Sequence, residues 1–432
     1  MSKYPLETLH KKLNIKHGFP FKSEFFSDSG HYIVLTPGNF LEAGGFKRQA
    51  GKEKYYTSEI PNDYLHDKGD LIVAMTEQAE GLLGSCALVP EDDVYLHNQR
   101  LGLITENSNV MNKEFIYYLF QTKNVRRQIK LSSSGSKVKH TSPERIYDVV
   151  APIPDIKIQE NISSFLSDID KKIELNNKIN TELEAMAKLI YDYWFVQFDF
   201  PSDAPESKGK PYKSSGGKMV YNEELKRDIP DGWVNGTLTD IGDIVGGSTP
   251  STKDKANFDD NGTPWIAPND LSKNKGNKYI SRGEKSVSKE GIKSASLKIY
   301  PKNTVLMSSR APIGYMAIAR NDLTTNQGFK SFLPTKGFSC DFIYYTVKNA
   351  MKAIVQYSSG STFKEVSGST LKTVKVCLPI LRVSNLYSKK VQDIFERQNL
   401  LELENQKLVE LRDWLLPMLM NGQVTVKNTK EK

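Results

Sequence analysis

Cysteine is nearly absent: Cys86, Cys340 and Cys377 are the only three in 432 residues, scattered and without a Cys-x-x-Cys pair. That rules out a disulfide framework and points to reduced thiols in a cytoplasmic protein. Histidine is absent from the second half, because His10, His17, His31, His66, His97 and His140 all lie in the first. A histidine-based site shared by both halves is therefore excluded, and no pair has the His-x-x-x-His spacing of a metal site. No run reaches the ~20 apolar residues of a membrane span, and the N-terminal stretch lacks the apolar core of a signal peptide. A soluble protein with no membrane partner is expected. Glycine fingerprints are missing as well. "SSGGK" at 214–218 does not satisfy Gly-x-x-x-x-Gly-Lys-Ser/Thr, and no dinucleotide or adenosyl-cofactor pattern follows an apolar strand. With no carboxylate pair singled out, the expectation is a chain that is no enzyme, with no catalytic residue, no metal and no cofactor of its own.

What is present is a repeat. "SSGSKVKHTS" at 133–142 returns as "SSGSTFKEVS" at 358–367, offset by 225 residues. "FIYYL" at 115–119 returns as "FIYYT" at 342–346, and Asn98-Gln99 as Asn326-Gln327, at offsets of 227 and 228. "LIVAMT" at 71–76 matches "TVLMSS" at 304–309, and "VVAPIP" at 149–154 parallels "VKVCLPI" at 374–380. Offsets that drift so little indicate a duplicated domain.

A long amphipathic stretch follows each copy. Ile162, Leu166, Ile169, Ile173, Leu183, Met186 and Ile190, with Tyr193, mark the first stripe, interrupted by Asn176 and Asn180. Val391, Ile394, Leu401, Leu408, Leu411 and Leu415, with Met418, mark the second, interrupted by Gln398 and Asn405. This spacing predicts two helices of ~35–40 residues, ~50–60 Å long, packed on each other, with polar seam residues fixing register. The expected fold is α+β: two similar mixed α/β domains separated by two long helices paired as an antiparallel coiled coil. The divisions are a first domain (1–155), a spacer helix (156–198), a linker rich in Pro, Gly, Ser and Lys (199–228), a second domain (229–381), a C-terminal helix (382–422) and a tail (423–432).

The net charge of +8 suits a polyanionic partner. Lys273, Lys275, Lys278, Arg282, Lys285, Lys289, Lys293, Lys298 and Lys302 crowd residues 273–302. Around them lie donor-rich loops, "GGSTPSTKD" (246–254), "SSRAPIG" (308–314) and "TTNQG" (324–328). Lysines neutralise phosphates, hydroxyls and amides fix register, and Asn, Gln and Arg carry the forked groups that read base edges. Trp265 and the "FIYY" aromatics are expected in the core.

From "IPDGW" through "GGSTPSTKDKANFDDNGTPWIAPNDLS" to "SSRAPIG" and "TTNQG", the second globule resembles a target recognition domain of the specificity subunit of type I restriction-modification systems. The first, with "GFPFKSEFFSDSG" and "AMTEQAEGLLGS", resembles a different lineage of that domain. It lacks the Gly-Gly-Thr-Pro-Ser and Arg-x-Pro-x-Gly patterns. The linker, "TELE" at 181–184 and the tail "LRDWLLPMLMNGQV" are similar to that family too.

The resemblance implies a non-catalytic, sequence-specific DNA-binding subunit. Each domain would read one half of an asymmetric, interrupted target in double-stranded DNA, and the helices would set the gap. The helices would also dock two methyltransferase subunits, which carry S-adenosylmethionine, and the complex would recruit restriction (motor-nuclease) subunits. Half-sites ~34–36 Å apart would place both domains on one face of the duplex. Residues expected at DNA in the first domain are Lys22, Asn39, Thr76, Asn98, Gln99, Ser134, Ser136, Lys137 and Lys139. In the second they are Ser248, Thr249, Ser251, Lys253, Asn269, Ser309, Arg310, Asn326, Gln327, Ser359, Ser361 and Lys364. The alternatives are an adaptor binding protein partners, the specificity partner of another modification system, and a nuclease with a carboxylate-metal site.

Overall fold

The computed structural model describes residues 2–136, 138–310, 312–358 and 365–426. They divide into two compact units, one of residues up to 174 together with those from 407, the other of residues 175–406.

In the first unit Leu6–Thr8 pairs antiparallel with Val150–Pro152. A four-stranded antiparallel sheet follows in the order Leu13–His17, Leu101–Glu106, Leu71–Ala74, Cys86–Leu88. A second sheet holds Tyr32–Leu35 parallel to Tyr95–His97, with Tyr55–Tyr56 and Phe26–Ser27 beyond. The second unit repeats this plan. Val234–Thr237 pairs with Lys375–Leu378, and Asp243–Val245, Ser331–Leu333, Val305–Met307 and Met316–Ala319 form the sheet, extended by Tyr279–Ile280. Phe258–Ile266 lies parallel to Thr324–Thr325 and antiparallel to Lys285–Val287.

The central strands show why these stretches are strands. Every residue of Leu71–Ala74 is buried: Leu71 and Val73 face one core, Ile72 and Ala74 the other. Val305 and Met307 against Leu306 repeat the division. The two-residue period sends alternate side chains into two separate cores. Each fully buried aliphatic side chain adds about 1.5–3 kcal/mol.

The first long helix runs Ile156–Tyr191 and ends in a π-turn, Asp192–Val196. The second runs Leu381–Met420, keeps Pro417 inside it, and closes at Gly422 with φ +70°. Neither is a free-standing rod. Ile162 and Leu166 share the first domain's core with Leu415, Leu416, Leu419 and Met420, and Ile169 is buried as well. Ala187, Tyr191, Trp194, Tyr387, Val391 and Phe395 belong to the second domain's core. The expected boundaries at 155 and 381 therefore cut through continuous cores.

Antiparallel pairing holds inside the second unit: Asn176 Nδ2 donates to Asn405 Oδ1 at 2.8 Å, and Gln398 Nε2 to Asn180 O at 3.3 Å. The polar seam residues thus meet one another. In the first unit Arg412 Nη1 donates to Asp170 Oδ1 at 2.8 Å. Leu401 is buried, Ile190 and Ile394 pack against the core, and Ile173, Leu183 and Leu408 are half-buried. Three stripe residues are corrected. Met186, Tyr193 and Leu411 are exposed; beside Met186 and Leu411, Ala187 and the Arg412–Asp170 pair take the inward positions.

The 199–228 linker is also corrected: it is folded. Met219–Asn222 and Arg227–Pro230 form a hairpin, and Phe200 stacks on Tyr212 and Trp233 with centroids 4.6 and 5.1 Å apart. Its aromatic residues anchor a stretch that its Pro and Gly content marks as loose.

Candidate nucleic-acid interface

In each unit the loops leaving the sheets converge through matching backbone hydrogen bonds. Phe19 N donates to His97 O in the first, and Ser248 N to Thr325 O in the second. Met75 N donates to Arg100 O, and Ser309 N to Gly328 O. Thr141 N donates to Met75 O, and Val366 N to Ser309 O. Three loops are laced together in the same way twice. These pairs place Thr76 opposite Arg310, one residue away from the alignment of 71–76 with 304–309, and a one-residue slip turns a strand side chain to the other face.

The Asn-Gln dipeptides form a tight turn in both rims. Asn98 Oδ1 accepts from Arg100 N at 3.0 Å, and Asn326 Oδ1 accepts from Gly328 N at 2.8 Å. Each asparagine closes its own turn, while Gln99 and Gln327 stand exposed at the tip. Beneath the turns sit Gly18 and Gly247. A Cβ on Gly18 would lie 2.0 Å from Asn98 O, and one on Gly247 would lie 2.0 Å from Thr325 O. The first domain thus uses Gly18-Phe19-Pro20 where the second uses Gly247-Ser248-Thr249.

The second rim gathers Ser248, Thr249, Ser309, Arg310, Asn326 and Gln327. Thr249 Oγ1 hydrogen-bonds Gln327 Oε1, and Trp265 Nε1 donates to Ser248 O at 3.0 Å from inside the core. A Cβ built on Gly328 would meet Pro268, Arg310 and Asn326, which brings the exposed Asn269 alongside. Ser251 and Lys253 are exposed on the next turn, where Ser251 O accepts from the buried Asn257. Ser309 is corrected: its side chain is fully buried and cannot reach a duplex.

The first rim gathers Thr76, Asn98, Gln99, Ser134 and Lys139. Ser134 and His140 exchange backbone hydrogen bonds of 2.9 and 2.8 Å, and Glu77 N donates to Lys139 O. Gly135 has φ +99°, and a Cβ there would strike Val138 O at 2.1 Å, so this turn needs glycine. Arg145 Nη1 donates to Ser134 Oγ at 2.8 Å, and Ser136 is exposed. The last serine of each copy, Ser142 or Ser367, precedes a short helix, and Ser367 Oγ caps it by accepting from Thr370 N. Lys137, Ser359, Ser361 and Lys364 lie outside the described residues.

Three more expectations are corrected. Asn39 is buried, its Oδ1 accepting from Thr36 N and its Nδ2 donating to Lys47 O, so it braces a turn. Thr76 is buried, with Oγ1 3.0 Å from His140 Nδ1. Lys278, counted in the basic run, is buried too, its ammonium 2.7 Å from Glu184 Oε2 and 3.7 Å from the Phe395 ring centroid. Lys22 is exposed beside Glu24. The other eight cations of residues 273–302 are exposed, as are all four tip and turn residues Gln99, Ser136, Lys253 and Gln327.

Sequence reasoning missed His140, Glu365, Arg100 and Gly18. The repeated loop carried the signal, since "KHTS" and "KEVS" place His140 opposite Glu365. It also missed that His97, under the Asn98 turn, is buried with Nδ1 2.9 Å from His66 Nε2. Burial, then the neighbouring His66, push the His97 pKa down to about 3. Among the described residues no group of three or more His, Cys, Asp or Glu could hold a metal ion, and no helix is long and apolar enough to cross a membrane.

The family pattern of the type I restriction modification DNA specificity domain matches residues 12–185 and 230–412. Over 410 residues the chain is 27% identical to the type I restriction enzyme HindI specificity subunit of Haemophilus influenzae, covering 83% of this chain and 87% of that one. It is 48% identical over 170 residues to the MjaIX specificity subunit of Methanocaldococcus jannaschii, a match spanning 38% of each protein. The crystal structure of a type I restriction-modification system S subunit from M. genitalium superposes with a TM-score of 0.56 at 14% identity. That match covers 97% of this chain and 96% of the other, a likeness of fold.

Proposed function

The chain belongs to the type I restriction modification DNA specificity domain family, and from that premise we propose that it is the DNA-reading, non-catalytic subunit of a modification and restriction complex. Each rim reads one half of a bipartite target in double-stranded DNA. The two helices set the spacing and carry two methyltransferase subunits, which bring S-adenosylmethionine, and restriction subunits join the assembly.

The observation that carries this reading is the doubled rim. The same three loops are laced by the same backbone bonds in both units, while the side chains they present differ. Shared main chain suits a shared task, contact with the sugar-phosphate backbone, and differing side chains suit different base sequences. An adaptor that binds protein through its domains gives no reason for an exposed Gln tip on each rim or for eight exposed cations within residues 273–302.

The test is selection of duplexes from a randomised library by the full chain, repeated over a range of salt. Two unlike short half-sites at a fixed gap are expected, with affinity falling steeply as salt rises. Equal recovery of all sequences, or binding indifferent to salt, refutes the proposal.

A further inference from the structure

The doubled rim differs in one pair of side chains that bridges two of its loops. In the second unit Arg310 Nη1 lies 4.0 Å from Glu365 Oε2, both side chains being partly exposed, at 38% and 47%. In the first unit the equivalent positions hold Thr76 and His140, with Oγ1 and Nδ1 3.0 Å apart. The equivalence rests on the main chain, since Met75 O and Ser309 O accept from Thr141 N and Val366 N, the residues next to His140 and Glu365.

An exposed ion pair at this distance contributes ~0–1 kcal/mol, too little for stability to explain it. The carboxylate lies near enough to bias where the guanidinium sits, and at this distance it takes up no hydrogen bond, so the Arg310 donors stay available on the rim. A forked guanidinium so placed matches O6 and N7 of guanine in the major groove. In the first unit the reaching member lies on the other loop. Thr76 is buried and His140 exposed, so Thr76 orients the ring, and His140 Nε2 has no protein partner among the described residues.

We infer that this cross-loop pair is a specificity element of each domain. Arg310, steered by Glu365, reads a guanine in one half-site, and His140, positioned by Thr76, reads a base edge at the matching place in the other. The inference rests on the DNA-reading function proposed above and assigns the residues that carry part of it.

Arg310→Lys keeps the charge and removes the fork. In the randomised-duplex selection with the full chain, it lowers discrimination at one base pair of the second half-site by about 10- to 100-fold. The other positions, the first half-site and the slope of affinity against salt stay as in the parent. Glu365→Gln relaxes the same base pair to a smaller extent. Thr76→Arg combined with His140→Glu installs the second pair in the first domain and brings guanine to the matching position there. Uniform weakening across all sequences with a shallower salt slope makes Arg310 a phosphate contact and overturns the assignment, as does an unchanged preference. If the parent chain itself shows no preference, the DNA-reading function fails first. Unfolding of each variant in urea separates these outcomes from a folding defect.

Discussion

In Gly247→Ala, preference for the second domain's half-site is expected to fall by about 100-fold, close to 3 kcal/mol, while the first half-site is read as before. Gly18→Ala gives the mirror result. The added Cβ has no soft neighbour to displace: on Gly247 it lies 2.0 Å from Thr325 O and 2.2 Å from Asn326 O, and on Gly18 it lies 2.0 Å from Asn98 O and 2.5 Å from His97 O. All four are backbone atoms, so the loop must leave the Asn-Gln turn. With it go the Ser248 N to Thr325 O bond, or the Phe19 N to His97 O bond, that lace the rim. Overpacking typically costs 1–3 kcal/mol, and here it falls on the element that positions Gln327 or Gln99. Gly368→Ala is the control, because nothing lies within 4 Å of its added Cβ. Half-site selection checks all three, and loss of both half-sites in either variant contradicts the independence of the two rims.

Glu184→Gln is expected to destabilise the second unit by about 3–5 kcal/mol, the cost of stranding a buried charge, whereas Lys278→Met costs far less. Lys278 is 4% exposed and hydrogen-bonds Gln398 Oε1 at 2.7 Å and Tyr345 Oη at 3.1 Å, but its close carboxylate is Glu184. Removing that carboxylate leaves an ammonium among aromatic rings. Removing the lysine leaves Glu184 still 2.6 Å from the half-exposed Lys348. The asymmetry in urea unfolding, and recovery in the double variant, check the assignment; equal losses contradict it.

The pair also has a pH signature. Burial raises the Glu184 pKa, but the Lys278 charge and hydrogen bond, with Lys348, outweigh it and hold the group at about 2, below its usual 4.5. A depressed carboxylate gives its full stability above pH 4.5 and loses it as pH falls toward 2. In Glu184→Gln that acid loss is reduced.

The duplication, the α+β class, the two helices and their polar seam were all legible, because each leaves a periodic or repeated mark. Asn176 and Asn405 were marked as seam residues by their stripe positions, and they meet at 2.8 Å. The failures share a cause, which is that exposure is not written in composition. Ser309, Thr76, Asn39 and Lys278 have the chemistry of DNA contacts, yet the fold spends them inside, on a strand end, a loop bridge, a turn brace and a buried ion pair. Met186 and Leu411 fail the opposite way, as apolar residues one step off a seam that Ala187 and Arg412 occupy. The match of Gly18 with Gly247 was hidden because the residues after them differ. Only the carbonyls they press against show that the positions are one and the same.

The central claim is that one chain reads two unlike half-sites through two copies of one rim. Mapping methylated adenines in cells that express this chain together with a methyltransferase subunit of the proposed complex tests that most directly. The account predicts a single asymmetric motif of two defined halves separated by a gap of fixed length and free sequence. A continuous motif, or a palindrome of two identical halves, would contradict it.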